Sequence, residues 1–399
     1  MLAAKLLLAN SSFDLAVIGG GPAGTSAAIT AARAGANVVL FESRPFPRHK
    51  VCGEFISAEA LEVLAELLDE PPAAPHKLPG ASQGKARTAH LRLDSLFDTA
   101  PVLDRTRFWV GHRMLEAPIS PAGLSIARYI LDATLWEAAK AAGVSCRDNC
   151  EVSAAHGDGP FQLQTAAGTV SARALIVAAG RWSQFVADRA LPPGPKWIGL
   201  KAHFREADPS FTIDLYFFEN GYCGVQPVAQ VGNRARRPTD VVNACVMVRS
   251  DRAGSLPEVF RLHPALHDRA LNWSPVTATF STAPLVYRTP QPVRGNIVFV
   301  GDAAAFIDPF VGDGISIALG GGKVAADCLR SFVANKAPLD SCVTAYRREY
   351  ARQFAPLLAV AARVRGLLSL RGFAQSAAFE MLRVPGLLPL LIRKTRRVA

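Results

Sequence analysis

Apolar residues along the chain keep two different spacings, and the alternation between them outlines the fold. Phe13–Ile18 is a short apolar run rich in β-formers. Thr25–Ala34 is Ala-rich and helix-favouring, Gly35 stops it, and Asn37–Phe41 is a second apolar run. Helical periodicity returns over Ser57–Leu68. It returns again over Ser125–Gly143, where Ile126, Ile130, Leu131, Leu135, Ala138 and Ala139 share one side. Cys150–Ala155, Phe161–Thr165 and Thr169–Ala172 read as strands of a meander. Ala174–Ala179 is apolar throughout and closes at Gly180, the pattern of a buried parallel strand whose end meets a ligand.

Between Lys196 and Arg249 the character changes. Trp197, Phe204, Tyr216, Phe217, Phe218 and Tyr222 fall in alternating segments such as IDLYFF and VVNACVMV, which predict an antiparallel sheet and a second domain. Leu256–Leu271 reads as helix, Thr277–Tyr287 as strand, and Asn296–Val300 as an apolar strand before a helix from about Ile315. Glu70–Gly84 is a Pro- and Ala-rich linker, and Ala86–Leu96 alternates like a strand. The C-terminal stretch is apolar over Leu387–Ile392 and then basic at Arg393, Lys394, Arg396 and Arg397. It reads either as a foot on an anionic membrane surface or as a core-docking helix with a solvated end.

Composition narrows this picture. With 399 residues, 50% of them hydrophobic, the chain can bury a full core and divide into two joined domains. No apolar run is long enough to span a membrane, and Leu2–Ala9 reads as a lead-in to the first strand rather than a secretion signal. Seven cysteines without a C-x-x-C pair predict a reduced, cytoplasmic protein with no metal site. The net charge of +11 suits an anionic cofactor. Without a recognition motif it does not predict a nucleic-acid partner.

The candidate chemistry sits at two glycine-bearing turns. Gly19-Gly20-Gly21-Pro22-Ala23-Gly24 has the G-x-G-x-x-G spacing between a strand and a helix, and Glu42 closes the second strand. Gly19 allows the tight turn, Gly21 lets backbone approach a pyrophosphate, and Gly24 lets helix pack on strand. The helix N-terminus directs unpaired N–H groups at phosphates, and Glu42 is placed to accept from a ribose diol. Arg44 and Lys50 lie in the basic loop that follows, where a neighbouring pyrophosphate would draw them. Arg128 stands at a helix start, where a cation is disfavoured, which points to an anionic partner. The second turn is Gly301-Asp302 followed by Pro309-x-x-Gly312-x-Gly314 and Ile315. Asp302 can hold a polyol hydroxyl, and Gly312 and Gly314 let backbone press against a planar ring. Asp308 and Asp313 read as turn and helix-cap acids.

Taken together and in this order, several motifs resemble the group-A flavin monooxygenase and geranylgeranyl reductase superfamily. They are GGGPAG with Glu42, Lys50-x-Cys52-Gly53, Arg128 ahead of Leu131-Asp132, Ala178-Ala179-Gly180-Arg181-x-Ser183, Gly301-Asp302-Ala303-Ala304 and Pro309-x-x-Gly312-x-Gly314. The resemblance spans roughly Phe13–Phe332. It implies an α/β fold of the p-hydroxybenzoate hydroxylase type, in which a Rossmann-like FAD-binding domain is interleaved with an antiparallel-sheet substrate domain. The domain assignment that follows is 1–80, 110–190 and 290–335 for FAD, 81–109 and 191–289 for substrate, and 336–399 as a helical C-terminal region. FAD would lie extended between the two turns. Gly19, Gly21, Pro22, Ala23 and Gly24 would hold the pyrophosphate and Glu42 the ribose, with Val152 presenting backbone to the adenine. Arg44, Lys50 and Arg128 would contact phosphates or the ribityl chain. Asp302 would do the same from the second turn, near Gly180, and Gly312, Gly314 and Ile315 would meet the pyrimidine edge.

The function implied is an FAD-dependent monooxygenase acting through a flavin C4a-hydroperoxide on an aromatic or polyketide-like small molecule. Cys52, Tyr222 and Gln226 are the candidates for the reactive side of the ring. The runner-up is reduction of isoprenoid double bonds, and a third reading is a flavin-fold binding protein without turnover. NADPH is a candidate electron donor, but Ala179-Gly180 stands where the family carries Asp-Gly, a pair associated with pyrophosphate binding and NADPH use, and its absence weighs against direct nicotinamide reduction. Gly224 and Gln226 replace the Trp and Phe of the prenyl reductases' Tyr-x-Trp-x-Phe-Pro segment, and the halogenases' two-Trp motif is absent. His49, His112 and His203 are possible bases that the sequence leaves unplaced.

Overall fold

The computed structural model describes residues 12–68, 100–181, 183–186, 193–229, 239–307 and 312–368. The Leu2–Ala9 lead-in, the Glu70–Gly84 linker, the Ala86–Leu96 strand, Asp308 and the tail beyond 368 lie outside the described residues.

In chain order the first elements are β1 (Ser12–Ile18), α1 (Pro22–Arg33), β2 (Val38–Phe41), β3 (Phe55–Ile56) and α2 (Ala58–Leu68). Then come β4 (Val102–Val110), β5 (Arg113–Ser125), α3 (Arg128–Ala141), β6 (Ser145–Arg147), β7 (Val152–His156), β8 (Phe161–Thr165) and β9 (Gly168–Val177). The middle of the chain supplies β10 (Trp197–Arg205), β11 (Ile213–Phe218), β12 (Gly221–Pro227), β13 (Val241–Arg249), α4 (Leu256–Phe260) and α5 (Pro264–Ala270). It closes with β14 (Ser274–Pro275), β15 (Phe280–Leu285), β16 (Val293–Arg294), β17 (Ile297–Phe299), α6 (Gly314–Val333), α7 (Leu339–Gln353) and α8 (Ala355–Leu368).

Two sheets result. The first runs β16-β17-β9-β1-β2-β6, and its central strands β17, β9, β1, β2 and β6 are parallel. Their runs are apolar throughout, and Leu15, Val17, Val39, Leu40 and Ile176 are all fully buried. The two strands expected over 169–172 and 174–179 are one continuous strand. Arg173 is no break, because its side chain turns aside to Asp14 at 2.9 Å and to the carbonyls ending α6.

The second sheet runs β14-β10-β13-β12-β11-β4-β5-β3 and is antiparallel except where β11 meets β4. Its alternation separates two faces. Leu200, Ala202, Val242, Ala244, Val246 and Val248 point to a core closed by Leu256, Val259, Phe260 and Leu266 of α4 and α5. Lys201, His203, Asn243 and Gln226 fill the intervening positions and point the other way, toward the loop after β2. The single helix expected over Leu256–Leu271 is split at Pro264, where His263 caps the second piece by accepting the Leu266 N–H at 3.3 Å.

Strand pairing divides the chain elsewhere than at residue 110. Gly111, at φ +60°, turns the chain back, so β5 pairs with β4 along most of its length. Thus Arg113–Ser125, assigned with the FAD domain, lies in the second sheet, as does the short β3. The C-terminal helices dock on the first sheet, where the buried Tyr346 hydroxyl donates to the Phe299 carbonyl at 2.8 Å.

Candidate cofactor cleft

The first glycine turn has the tightness its chemistry requires. A methyl group on Gly19, which sits at φ +110°, would stand 2.4 Å from the Ala178 carbonyl oxygen. One on Gly24 would stand 1.8 Å from the Gly19 oxygen. Gly21 differs: its nearest neighbour in that direction is an Arg128 guanidinium nitrogen at 3.9 Å, so the turn is open on that side. Pro22 starts α1, and no side chain caps the helix, which leaves its first N–H groups directed at the opening.

Glu42 is buried at the end of β2 and already carries a set of donors. The Gly20 N–H reaches it at 2.9 Å, the Arg44 N–H at 3.2 Å and the Arg48 guanidinium at 2.7 Å. The loop therefore places Arg48, not Arg44, on the carboxylate, and the Arg44 side chain is exposed. Arg48 is held on the outer side by Phe46, whose ring lies 4.8 Å below it and packs on Trp136. Val152 is at the same end of the cleft. The neighbouring Cys150 N–H donates to the Glu42 carbonyl, and the Val152 carbonyl itself accepts from Gln184 at 2.9 Å.

Arg128 resolves the anomaly its position posed. Its guanidinium forms a two-pronged pair with the buried Asp132, one turn along α3, at 2.6 and 2.8 Å. Cys52 adds to its stabilisation, and although burial opposes it, Asp132 holds Arg128 firmly charged. Lys50 opens into the same cleft. Desolvation there and the nearby Arg48 lower its ammonium to about 8. Arg128 stands on the open side of Gly21, and Arg48 and Lys50 are its electrostatic neighbours, a cationic group that Glu42 and Asp132 only partly offset.

The second turn lies at the carboxyl ends of β9 and β17. Gly180 and Gly301 take positive φ values of +74° and +58°. Asp302 is 43% exposed and faces Arg181 at 3.5 Å. Gly312, at φ +77°, stands over Phe55, Gly314 opens α6, and Ile315 is buried behind it. Asp313 occupies the capping position and is buried, but its side chain makes no capping bond. A cavity of about 320 Å³ adjoins Asp302, walled by Arg181, Tyr287, Gln291, Arg294, Phe299 and Phe306.

Among the three candidates for the reactive side, Cys52 and Gln226 come together at Asn243. Asn243 is the cross-strand partner of Gln226, and its amide donates to the Cys52 carbonyl at 3.0 Å. Gln226 is itself bound to Ser125 at 2.8 Å. Tyr222 lies on the same strand four residues away, about 13 Å along it, amid Phe217 and Met247. Three residues that sequence reasoning missed complete the junction: Glu54, Lys201 and Asn243. Glu54 is fully buried and accepts from the His203 ring at 2.8 Å and from Lys201. His49 stacks on Phe280 and Tyr129 beside His203, and burial, then Lys201, pushes its ring below the ordinary range. His112 has no place in this cluster.

These residues fit a dinucleotide. An open approach at Gly21, an uncapped helix N-terminus, three cations and the buried Glu42 carboxylate gather at the first turn, and Asp302 of the second turn lies within electrostatic reach of Arg128 and Lys50. Comparison with known proteins agrees. Residues 14–47 match the family model for FAD dependent oxidoreductases. A menaquinone reductase of Mycobacterium tuberculosis is 27% identical over 81% of this chain and 78% of its own. A digeranylgeranylglycerophospholipid reductase of Methanococcoides burtonii is 23% identical over 86% of this chain and 80% of its own. Among solved structures, the flavin-dependent brominase Bmp2 superposes with a TM-score of 0.73 at 18% identity, covering 96% of this chain and 93% of that one. PqsL, a probable FAD-dependent monooxygenase of Pseudomonas aeruginosa, gives 0.69 at 15% identity, covering 93% of this chain and 100% of that one.

The protein is an enzyme of the FAD-dependent oxidoreductase class, with the p-hydroxybenzoate hydroxylase-like fold. In fold it is similar to flavin-dependent monooxygenases and halogenases, and in sequence to menaquinone and digeranylgeranylglycerophospholipid reductases. Among the described residues no group of side chains could hold a metal ion, and no helix is long and apolar enough to cross a membrane.

Proposed function

We propose that this flavoenzyme is a monooxygenase acting on a compact aromatic or polyketide-like molecule. The carrying observation is the cavity beside Asp302. At about 320 Å³ it lies at the small end of ligand pockets, which suits one or two rings better than an extended prenyl chain. Its wall mixes aromatic surface from Tyr287 and Phe306 with the charge of Arg181, whose guanidinium lies 4.2 Å over the Phe306 ring. Such a wall orients a flat substrate by its face and a polar substituent by its edge.

On this reading FAD, when bound, supplies the redox chemistry. Gly19, Gly21, Pro22, Ala23 and Gly24 hold its pyrophosphate, with Arg128 and Lys50 neutralising it. Glu42 takes the ribose, Asp302 the ribityl chain, and the backbone at Gly312, Gly314 and Ile315 the ring. The protein's own contribution is to exclude water and fix the substrate. NADPH remains the candidate electron donor.

A second reading, reduction of isoprenoid double bonds, is favoured by the menaquinone and geranylgeranyl reductases among the relatives and by one structural feature. Phe108, Leu215, Phe217, Tyr222, Met247 and Leu285 form a continuous apolar cluster on the second sheet.

One experiment separates the two. The purified holoenzyme is reduced chemically, mixed with a panel of aromatic and prenylated compounds, and exposed either to ¹⁸O₂ or to strict anaerobiosis. Monooxygenation predicts product carrying one labelled oxygen and none formed without oxygen. Product gaining two hydrogens anaerobically would replace the first reading with the second.

A further inference from the structure

We propose that Glu54 is a positioning residue that ties the Lys50–Gly53 strap and the start of α3 to the second sheet. It thereby sets Cys52 and Arg128 at the mouth of the FAD cleft. The inference rests on reading Arg128 and Cys52 as groups that face the cofactor.

Four observations converge. First, Glu54 adopts φ +66°, a backbone conformation that glycine would hold at less cost, yet the residue there carries a fully buried carboxylate. Second, that carboxylate caps α3 from a distance. The helix has Ala127 at its capping position, with nothing to offer, and Glu54 accepts the Arg128 N–H at 2.8 Å in its stead. Third, its main chain binds the neighbouring segments. The Glu54 carbonyl accepts from the Ile126 N–H at 3.0 Å, and its N–H donates to the Cys52 sulfur at 3.3 Å.

Fourth, the second sheet reaches across to the same strap. Lys201 on β10 bonds Glu54 and also donates to the Lys50 carbonyl at 3.3 Å. His203, two residues on, meets the other Glu54 oxygen at 2.8 Å. Asn243 on β13 donates to the Cys52 and Gly53 carbonyls at 3.0 and 2.9 Å. Lys50, Cys52 and Gly53 are therefore held through their main-chain carbonyls, whatever their side chains do.

Stability alone does not account for such a cluster. A buried ion pair gains little over apolar side chains of the same volume, because desolvating two charges offsets their attraction. What it adds is direction: hydrogen bonds of fixed length that hold the strap and the start of α3 in one position against the second sheet.

The test titrates cofactor-free protein with FAD, following flavin fluorescence and the visible absorption band of the bound flavin. The variant Glu54→Gln/Lys201→Met removes both charges together and keeps their volume. It is expected to melt within a few degrees of the unaltered protein, yet to bind FAD at least tenfold more weakly, with the band moved toward that of free flavin. FAD affinity within twofold of the unaltered protein and an unmoved band would overturn the proposal. If the double variant does not fold, Asn243→Leu serves instead, since it frees the strap carbonyls and leaves both charges in place. A loss of threefold or more in affinity is expected, and no loss would overturn the proposal. Unaltered protein that takes up no FAD would overturn the cofactor reading itself, a different failure.

Discussion

Gly322 of α6 lies directly against the Ala23 carbonyl of α1: a methyl group added to Gly322 would stand 2.1 Å from that oxygen. The contact presses two helices together at the point where Ser26 also donates to the Leu319 carbonyl at 2.7 Å. α1 begins at the first glycine turn and α6 at the second, so this crossing fixes the spacing between the two turns. Gly322→Ala should cost about 2–3 kcal/mol of stability, since backbone rather than a flexible side chain must yield. Gly321→Ala, whose methyl would meet only Phe354 at 4.0 Å, should be neutral or slightly stabilising. Denaturant melts of the two variants check the contrast, and equal effects would refute it.

Glu42 and Arg48 should separate structure from cofactor binding. Glu42→Ala strands the buried Gly20 N–H and the Arg48 guanidinium together, so a loss of about 2 kcal/mol in stability and a large loss in FAD affinity are expected. Arg48→Ala leaves the carboxylate in place with its two backbone donors and should weaken FAD binding less. Fluorescence titration alongside thermal melts would show whether the order holds.

Much of this was legible in the sequence because it depends on backbone constraints. Gly19, Gly24 and Gly312 stand where strand turns tightly into helix, through a positive φ or a contact that leaves no room for a Cβ. Arg128 was visible as an electrostatic misfit, and its partner Asp132, four residues on, is within reach of helix-spacing rules. Glu54 and Lys201 were not legible: they are 147 residues apart, and nothing in the sequence around either names its partner. The available signal was narrower. Lys201, His203 and Asn243 occupy positions in apolar strands that should face a core, and a polar residue so placed needs a buried partner. Gly322 left a similar trace, three consecutive glycines inside a helix, which only close packing makes tolerable. The β4–β5 boundary was missed because a hairpin of ordinary alternation carries no mark of which sheet it joins.

Lys50 should make FAD binding pH-dependent on the alkaline side. Burial and Arg48 lower its ammonium to about 8, so it is charged at pH 7 and largely neutral at pH 9. A bound pyrophosphate favours the charged form, and affinity must fall as pH rises through that value. If only the charged form binds, the loss between pH 7 and pH 9 is about tenfold. Lys50→Met should bind more weakly at pH 7 and lose most of this dependence. A dependence that survives intact in Lys50→Met would assign it to another group.

His263 should limit stability in acid. Its ring is buried at the start of α5, where Nδ1 accepts the Leu266 N–H, a role only the unprotonated nitrogen can fill. Burial lowers its ionisation from the ordinary 6.5 to about 4. Because the folded value is depressed, the unfolded chain binds the proton more readily. The contribution is therefore complete above about pH 6.5 and is lost as pH falls toward 4, by about 3 kcal/mol. His263→Asn keeps a neutral capping group and removes the titration. Its stability should change less between pH 7 and pH 4.5 than that of the unaltered protein, even if it starts lower. Urea melts at the two pH values decide it, and parallel losses in both proteins would place the acid sensitivity elsewhere.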